Sequence, residues 1–487
     1  MEDVVAFLAT ALVVAATGPV FAGLYQFALT ALSMFQTHLE AARPHLPRVA
    51  ILVPCWNEDA VIATTIDRLM ALEYPMDRLR VYIIDDASSD DTPRIAIAKN
   101  LEYPGKVFHI RRVAGGEGKA HTLNYGLDVL WRNDWTEAVL IMDADVIYTA
   151  DSLQKMARHL ADPEVGAVTA YIKEGSASPN YVQRFITFEY ITATGCSRRA
   201  QNVLGFLACL SGGAQLHSRE NLLEIGGKIF SHTLAEDTFT TFRTQIYGRK
   251  ALFEPNALVY AEEPDSLVGL WKQRVRWGRG NVQITQVFRR LWANRSAHNE
   301  LGSMSMAFLW FSIFLMPLFQ IGASLGLITL YFIDAETAWQ VFRWFWILAA
   351  IVYLFVTFTA FVVDWESARK SLAEGFLFPG LVSIVLIANA LFPPLGEWFS
   401  TTVGLDDAPM VEVVLTLFTY AWLSLGMAVA YAAKVAETKG RHRLAATLLY
   451  LGGYGAFLCA VTFGSYVKEI RGAAMTWDKT VKTGKVG

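Results

Sequence analysis

Asp143-Ala144-Asp145 puts two carboxylates one residue apart directly after the apolar run Ala138 to Met142. That pairing suits a hard divalent cation whose remaining ligands are diphosphate oxygens. Such a cation would neutralise the charge growing on a departing nucleoside diphosphate. Three further polar clusters lie upstream, and a carboxylate pair and a pentapeptide lie downstream. Asp85 and Asp86 close the run from Arg80, where carboxylates can accept hydrogen bonds from a base or ribose. Asn57 and Glu58 follow Val49 to Pro54 and open a helical stretch, so they would face a ligand at a strand end. Lys119 stands behind Gly115-Gly116-Glu117-Gly118 and offers a point charge to a base carbonyl or a phosphate. That loop lacks the phosphate-cradling Gly-x-x-x-x-Gly-Lys-Ser/Thr spacing, which disfavours ATP hydrolysis. Glu236-Asp237 opens a helix running to Ile246, and Asp237 is the candidate base for an attacking hydroxyl. Finally, in Gln273-Arg274-Val275-Arg276-Trp277, a helix over 264–290 would set Gln273, Arg276 and Trp277 at i, i+3 and i+4. An amide, a guanidinium and an indole then share one face that can grip a diphosphate and stack a sugar.

Each cluster also has a plainer use. Asn, Asp, Ser and Glu are ordinary helix-start residues, so Asn57, Ser89, Asp90 and Asp237 serve equally as caps. The pentapeptide fits a basic amphipathic helix on a membrane surface, anchored by Trp271 and Trp277, with Arg274 meeting lipid phosphate. Their succession along one chain favours chemistry more than any single cluster does.

Positioning falls to two kinds of element. From about 48 to 262, short β-rich runs alternate with helical stretches, the pattern of an α/β domain. Expected strands are Val49 to Pro54, Arg80 to Asp85, Val107 to Arg111, Ala138 to Met142 and Gly166 to Tyr171. Expected helices are Asp59 to Leu72, Asp91 to Asn100 and Ala120 to Leu130. In an open parallel sheet, carboxylates at strand ends lie where nucleotides bind. Elsewhere the chain is apolar: 53% of its 487 residues are hydrophobic and mean hydropathy is +0.31, too much for a purely soluble protein. Residues 1–40 read as a membrane anchor bent near Gly18-Pro19, with no basic residue ahead of the apolar run and so no expectation of a cleaved signal peptide. Residues 263–300 read as interface helices. Further spans are expected at about 305–333, 341–363, 377–396, 411–433 and 444–467, within a channel region of 301–470, followed by a basic tail of 471–487. Loop charges put the basic loop Lys434 to Arg443 inside, with the α/β domain. One crossing too many then remains, so either 444–467 is re-entrant or 377–396, closed by Pro393-Pro394, does not cross.

A net charge of −3, from 42 Lys and Arg against 45 Asp and Glu, gives no reason to expect a nucleic-acid partner. The four cysteines form neither a Cys-x-x-Cys pair nor a zinc spacing, and a reducing cytosol suits them.

Asp-Asp, Asp-x-Asp, Glu-Asp and Gln-x-x-Arg-Trp, in this order and followed by apolar segments, resemble the processive membrane-embedded family 2 glycosyltransferases, which include cellulose, chitin, hyaluronan and poly-N-acetylglucosamine synthases. The resemblance implies an α/β GT-A (Rossmann-like) cytosolic domain inserted between transmembrane helices of the plasma membrane. It implies a UDP-sugar donor, Mg2+ or Mn2+, and inversion to a β-linkage. It further implies a growing polysaccharide acceptor extruded through the membrane, with accessory export subunits as candidate partners and a glucose or N-acetylglucosamine unit transferred. Carried over by motif, Asp86 and Lys119 would meet the uridine part, and Asp143 and Asp145 the diphosphate and metal. Glu236 and Asp237 would be the catalytic pair, and Gln273, Arg276 and Trp277 the clamp on diphosphate and terminal sugar. The family's Thr before Glu-Asp is Ala235 here, and its small-residue acceptor loop reads Leu210-Ser211-Gly212-Gly213-Ala214. Trp477-Asp478-Lys479-Thr480 is similar to a Trp-x-Lys-Thr ending of some bacterial members, which favours a cytosolic tail. Two alternatives stay open: a non-processive enzyme acting on a lipid carrier or glycolipid, and a sugar-nucleotide-sensing membrane scaffold without turnover.

Overall fold

The computed structural model describes residues 2–35, 43–294, 300–403 and 409–475. Trp477 to Thr480 and most of the expected basic tail lie outside the described residues. Two compact units result. One comprises Met1–Ala28, Ser266–Arg279 and Phe308–Ala473; the other comprises Leu29–Asp265, Gly280–Ala307 and the residues from Ala474.

The second unit is built on an eight-stranded sheet ordered β3-β2-β1-β4-β7-β6-β8-β5. The strands are β1 Val49–Cys55, β2 Leu79–Asp85, β3 Val107–Arg111, β4 Ala138–Ile141, β5 Val146–Tyr148, β6 Val165–Glu174, β7 Gln215–Ser218 and β8 Lys250–Ala261. β1 is buried along nearly its whole length, as its unbroken apolar run requires of a strand covered on both faces. It pairs in parallel with β2 on one side and β4 on the other, so the order reverses at β1. The crevice beyond the carboxyl ends of such neighbours is where open α/β sheets bind ligands. Asn57, Asp85, Asp86, Asp143 and Asp145 all follow or end those strands. The Lys119–Leu130 helix covers this region through Leu123 and Leu127, packed with Leu52, Ile84 and Ile141. Gly126 permits the close approach, because a Cβ there would come within 3.1 Å of Leu52.

The sheet is mixed, not the all-parallel one that strand-helix alternation implies. β7 runs antiparallel to both β4 and β6, and β5 antiparallel to β8. β8 escapes a pattern reading because its partner register jumps from Ala170↔Glu254 to Tyr171↔Leu258. The jump leaves Pro255, which cannot donate to a ladder, in a bulge of the strand.

In the other unit, four helices among the described residues are long and apolar enough to cross a membrane: Glu2–Ser33, Met316–Ile333, Ala335–Val363 and Met410–Thr438. Two expected spans change. The stretch expected at 377–396 holds Leu381–Leu391, only 11 residues, against the roughly 20 that a bilayer needs. The last segment breaks into His442–Gly452 and Tyr454–Ile470, which meet at 98°. These two interruptions touch: a Cβ on Gly380 would lie 2.6 Å from the Gly452 carbonyl carbon, and Gly455 N–H donates to Phe378 O at 3.1 Å. Gly380 and Gly453 have φ of 88° and 94°, a region that a side chain would strain.

Candidate active site

Three strand ends and two helix starts deliver the polar groups of the sheet unit. β4 ends at Ile141, and the following turn is held when Thr65 Oγ1 donates to Ala144 O at 2.5 Å. Asp143 and Asp145 are thereby presented from a fixed turn, both partly exposed. Lys119, the first residue of its helix, places its ammonium 2.5 Å from Asp143 Oδ1 and donates to Gly212 O at 2.9 Å. Burial opposes its charge, but Asp143, Glu236 and Asp237 together raise its pKa above the ordinary lysine value. A Cβ on Gly212 would lie 3.3 Å from Lys119 Nζ and 3.4 Å from Asp237 Oδ2, and one on Gly213 would lie 3.5 Å from Asp143 Oδ2. Tyr148 hydroxyl donates to Gly213 O at 3.1 Å and so holds this loop. Lys119, Asp143, the Gly212-Gly213 loop and Asp237 therefore share one neighbourhood. Glu236 is 7% exposed, whereas Asp237 is more open and accepts from Thr238 N at 2.7 Å. Of the pair, Asp237 has the better access to a substrate.

Asp85 changes role. Its side chain is 0% exposed, lies 3.0 Å from Arg111 Nη1, and accepts from Ser88 N at 2.8 Å. Burial favours the neutral acid, yet the hydrogen bond from Ser88, the nearby His109 ring and the Arg111 charge hold its pKa below the usual carboxylate value. A carboxylate sealed and satisfied in this way shapes the strand end and does not reach a ligand. Asp86 is gripped by Arg112, which also pairs with Glu117, and accepts from Gly116 N at 2.9 Å. A Cβ at Gly115 would overlap the Asp86 carbonyl oxygen, so the glycine loop can fold onto Asp86 only without a side chain there. Asn57, at φ 55°, accepts from Ser89 N at 2.8 Å, and Glu58 N donates to Thr92 Oγ1 at 2.7 Å. The first helix of the sheet unit's α/β region starts only at Ile62, so these two residues brace a loop and do not cap that helix.

The donor set fits a hard dication only in company. Asp143 and Asp145 offer oxygen ligands at a strand end, but the described residues contain no group of three metal-ligating side chains. Diphosphate oxygens would have to supply the rest.

The pentapeptide lies on the Leu267–Val287 helix. Arg274 donates to Gln273 Oε1 at 2.6 Å and its Cζ sits 4.1 Å from the Trp277 ring centroid, a cation–π stack. At 5% exposure it is not the lipid-phosphate contact of a surface helix. Trp271, likewise, packs edge-on against Tyr431 and Phe457 at 5.4 and 5.7 Å and anchors the helix to protein. Trp277 is 37% exposed.

Farther along the same helix, Gln283 Oε1 accepts from Leu234 N at 2.9 Å, and a Cβ on Gly280 would lie 2.6 Å from Ala235 Cβ. These contacts fix the two residues before Glu236-Asp237. Gly280→Ala is expected to lower turnover about tenfold or more by displacing Asp237, since small misplacements of reacting groups carry such losses. Ala235→Gly in the same chain should restore part of it, measured as initial rate at matched folded fraction.

Arg111 and Arg112 carry no motif signal strong enough to place them beforehand. Arg112 had only its position at a strand end, seven residues before Lys119, to mark it.

Residues 47–280 match the family described as glycosyltransferase like family 2, a stretch that takes in every cluster above. A poly-beta-1,6-N-acetyl-D-glucosamine synthase of Staphylococcus epidermidis is 29% identical over 248 residues, covering 50% of this chain and 57% of that protein. The synthase of the same description from Staphylococcus aureus strain COL is 30% identical over 240 residues, covering 49% and 56%. The chain thus spans a little over half the length of these curated relatives. Among solved structures, a mannosyltransferase from Pyrobaculum calidifontis in complex with GDP-Man and Mn2+ superposes with a TM-score of 0.55 at 22% identity, over 75% of this chain and 99% of that one. Its likeness shows the GT-A fold. Sheet order, carboxylate placement and the family match agree: residues 47–280 have a GT-A fold and match glycosyltransferase like family 2.

Proposed function

We propose that this protein is an inverting, processive synthase that transfers N-acetylglucosamine from UDP-N-acetylglucosamine to a growing β-linked polysaccharide. The observation that carries the reading is the meeting of Lys119, Asp143 and Asp237 around the Gly212-Gly213 loop. A cation, a metal-competent carboxylate and a base candidate are what displacement at an anomeric carbon needs. Asp237 takes the proton of the acceptor hydroxyl as its oxygen bonds to C1 from the face opposite the leaving group. The C1–O bond to the β-phosphate breaks, and UDP leaves with the electron pair. Lys119 meets the charge that develops on the diphosphate. Asp143 and Asp145 would hold Mg2+ or Mn2+, which supplies Lewis-acid neutralisation of that same diphosphate. Asp86, with Arg112 and the glycine loop, lies at the nucleoside end, and Asn57 and Glu58 brace it. Gln273, Arg276 and Trp277 are assigned to the diphosphate and terminal sugar on the strength of their motif. The choice of N-acetylglucosamine follows the names of the curated relatives. Several apolar helices favour a multi-pass membrane protein with the catalytic domain on the cytosolic side, an export path through the membrane and accessory subunits as partners.

The test is product length. The purified full chain, given UDP-N-acetylglucosamine and Mg2+ or Mn2+, should release UDP and form long chains cut by a β-1,6-N-acetylglucosaminidase. Single additions to a lipid would show the non-processive reading instead, and absence of UDP release with every nucleotide sugar would remove both.

A further inference from the structure

Thr169 stands inside the sheet, on β6, paired with Gln215 of β7 on one side and Phe253 of β8 on the other. It is wholly enclosed, at a place where an inner strand calls for an apolar side chain. Its hydroxyl must therefore be satisfied within the protein. Both of its bonds go to one loop. Ser211 N donates to Thr169 Oγ1 at 3.1 Å, and Thr169 Oγ1 donates to Ala214 O at 2.8 Å. Ala214 N in turn donates to Ser211 O at 2.9 Å, which closes Ser211-Gly212-Gly213-Ala214 into a four-residue turn. One hydroxyl thus holds both ends of that turn.

A second enclosed threonine ties the same loop to the helix that opens with Glu236-Asp237. Leu210 N donates to Thr241 Oγ1 at 2.8 Å, and Thr241 Oγ1 donates to Asp237 O at 2.7 Å. The glycines at the tip of the turn lie among the reacting groups. Gly212 O accepts from Lys119 Nζ at 2.9 Å, and Cβ atoms built on Gly212 and Gly213 would lie 3.4 Å from Asp237 Oδ2 and 3.5 Å from Asp143 Oδ2. The turn is therefore the spacer between Lys119, Asp143 and Asp237. Both threonines are 0% exposed, so they act on the substrate only through what they hold.

We infer that Thr169 and Thr241 are positioning residues for the transfer step, their hydroxyls locking the 211–214 turn at the spacing that Lys119, Asp143 and Asp237 need as the sugar moves from diphosphate to acceptor. The inference rests on the glycosyl-transfer reading. Valine has the shape of threonine and neither hydrogen bond. In Thr169→Val the Ser211 N–H and the Ala214 carbonyl lose their partner together, and the turn shifts to satisfy them elsewhere. Thr241→Val leaves the Leu210 N–H in the same state. Serine keeps the hydroxyl at either position.

Thr169→Val, Thr169→Ser, Thr241→Val and Thr241→Ser in the full-length protein test this. UDP affinity is read by calorimetry, and kcat and KM from UDP release with UDP-N-acetylglucosamine, at matched folded fraction. Each Val variant should lose about tenfold or more in kcat, the scale of a small misplacement of reacting groups, with UDP affinity and KM within about threefold of the parent. The diphosphate side should hold because Lys119 stays paired with Asp143. Each Ser variant, which also guards against a folding failure of its Val counterpart, should recover most of the rate. A Val variant with the parent's kcat overturns the assignment of that residue. So does a Ser variant as slow as its Val counterpart, which would make the methyl and not the hydroxyl responsible, or a loss carried wholly by KM and UDP affinity. Absence of UDP release from the parent protein would instead count against glycosyl transfer itself.

Discussion

Asp237→Asn should bring UDP release down by roughly 100- to 10,000-fold, the usual range for loss of a positioned general base, while UDP still binds. The substitution keeps size and shape and retains an oxygen able to accept from Thr238 N, a contact of 2.7 Å. The segment entering the helix is held independently by Gln283 and by the Gly280 contact, so the fold has no reason to change. What disappears is proton acceptance. Lys119 remains paired with Asp143 at 2.5 Å, so the diphosphate side stays intact. Turnover by the purified Asp237→Asn protein above about one part in ten of the parent would remove Asp237 from the base role. The partner carboxylate gives a control: Glu236 is mostly enclosed, and Glu236→Gln should act more through stability than through the pH dependence of the rate.

Asp145→Ala should reduce turnover by about 100-fold or more and raise the Mn2+ concentration needed for half-maximal rate; the size reflects what a dication does for a leaving diphosphate. Chelation of the parent protein with EDTA should stop it, reversibly on adding Mn2+. With no third metal-ligating side chain in a group among the described residues, each carboxylate carries a large share of the binding. Metal affinity should also depend on nucleotide. Titration of Mn2+ by paramagnetic resonance should show weak binding to the protein alone and tight binding when UDP is present. Equal affinity in both conditions would place the cation elsewhere.

The central strands were legible because their chemistry is local. β1, β2, β3 and β4 are apolar runs that end in polar or acidic residues, and the expected bounds fall within about a residue or two of those observed. β5 and β7 were not legible, since Val-Ile-Tyr is three residues long and Gln-Leu-His-Ser has no alternation; tertiary pairing makes them strands. β8 hid behind Pro255. In the site, Lys119, Asp143 and Asp237 come together as the succession of motifs implies. Asp85 and Asp86 look alike in sequence and part ways in space, because Arg111 and His109 close over one while the glycine loop folds onto the other. Arg112 was invisible because it meets its carboxylate across a turn of the fold, 26 residues from Asp86, and an arginine beside a strand reads first as surface. The break at Gly453 was legible as Gly452-Gly453, but its contact with Gly380 was not, since nothing local pairs two glycines that far apart.

The most direct measurement is an experimental structure of the full chain with UDP and Mn2+. The diphosphate should sit beside Lys119, with Mn2+ on Asp143 and Asp145, the uracil toward Asp86, and the Asp237 carboxylate open to the space beyond the β-phosphate. UDP bound away from Lys119 and Asp143, or an Asp237 turned from that space, would contradict the account.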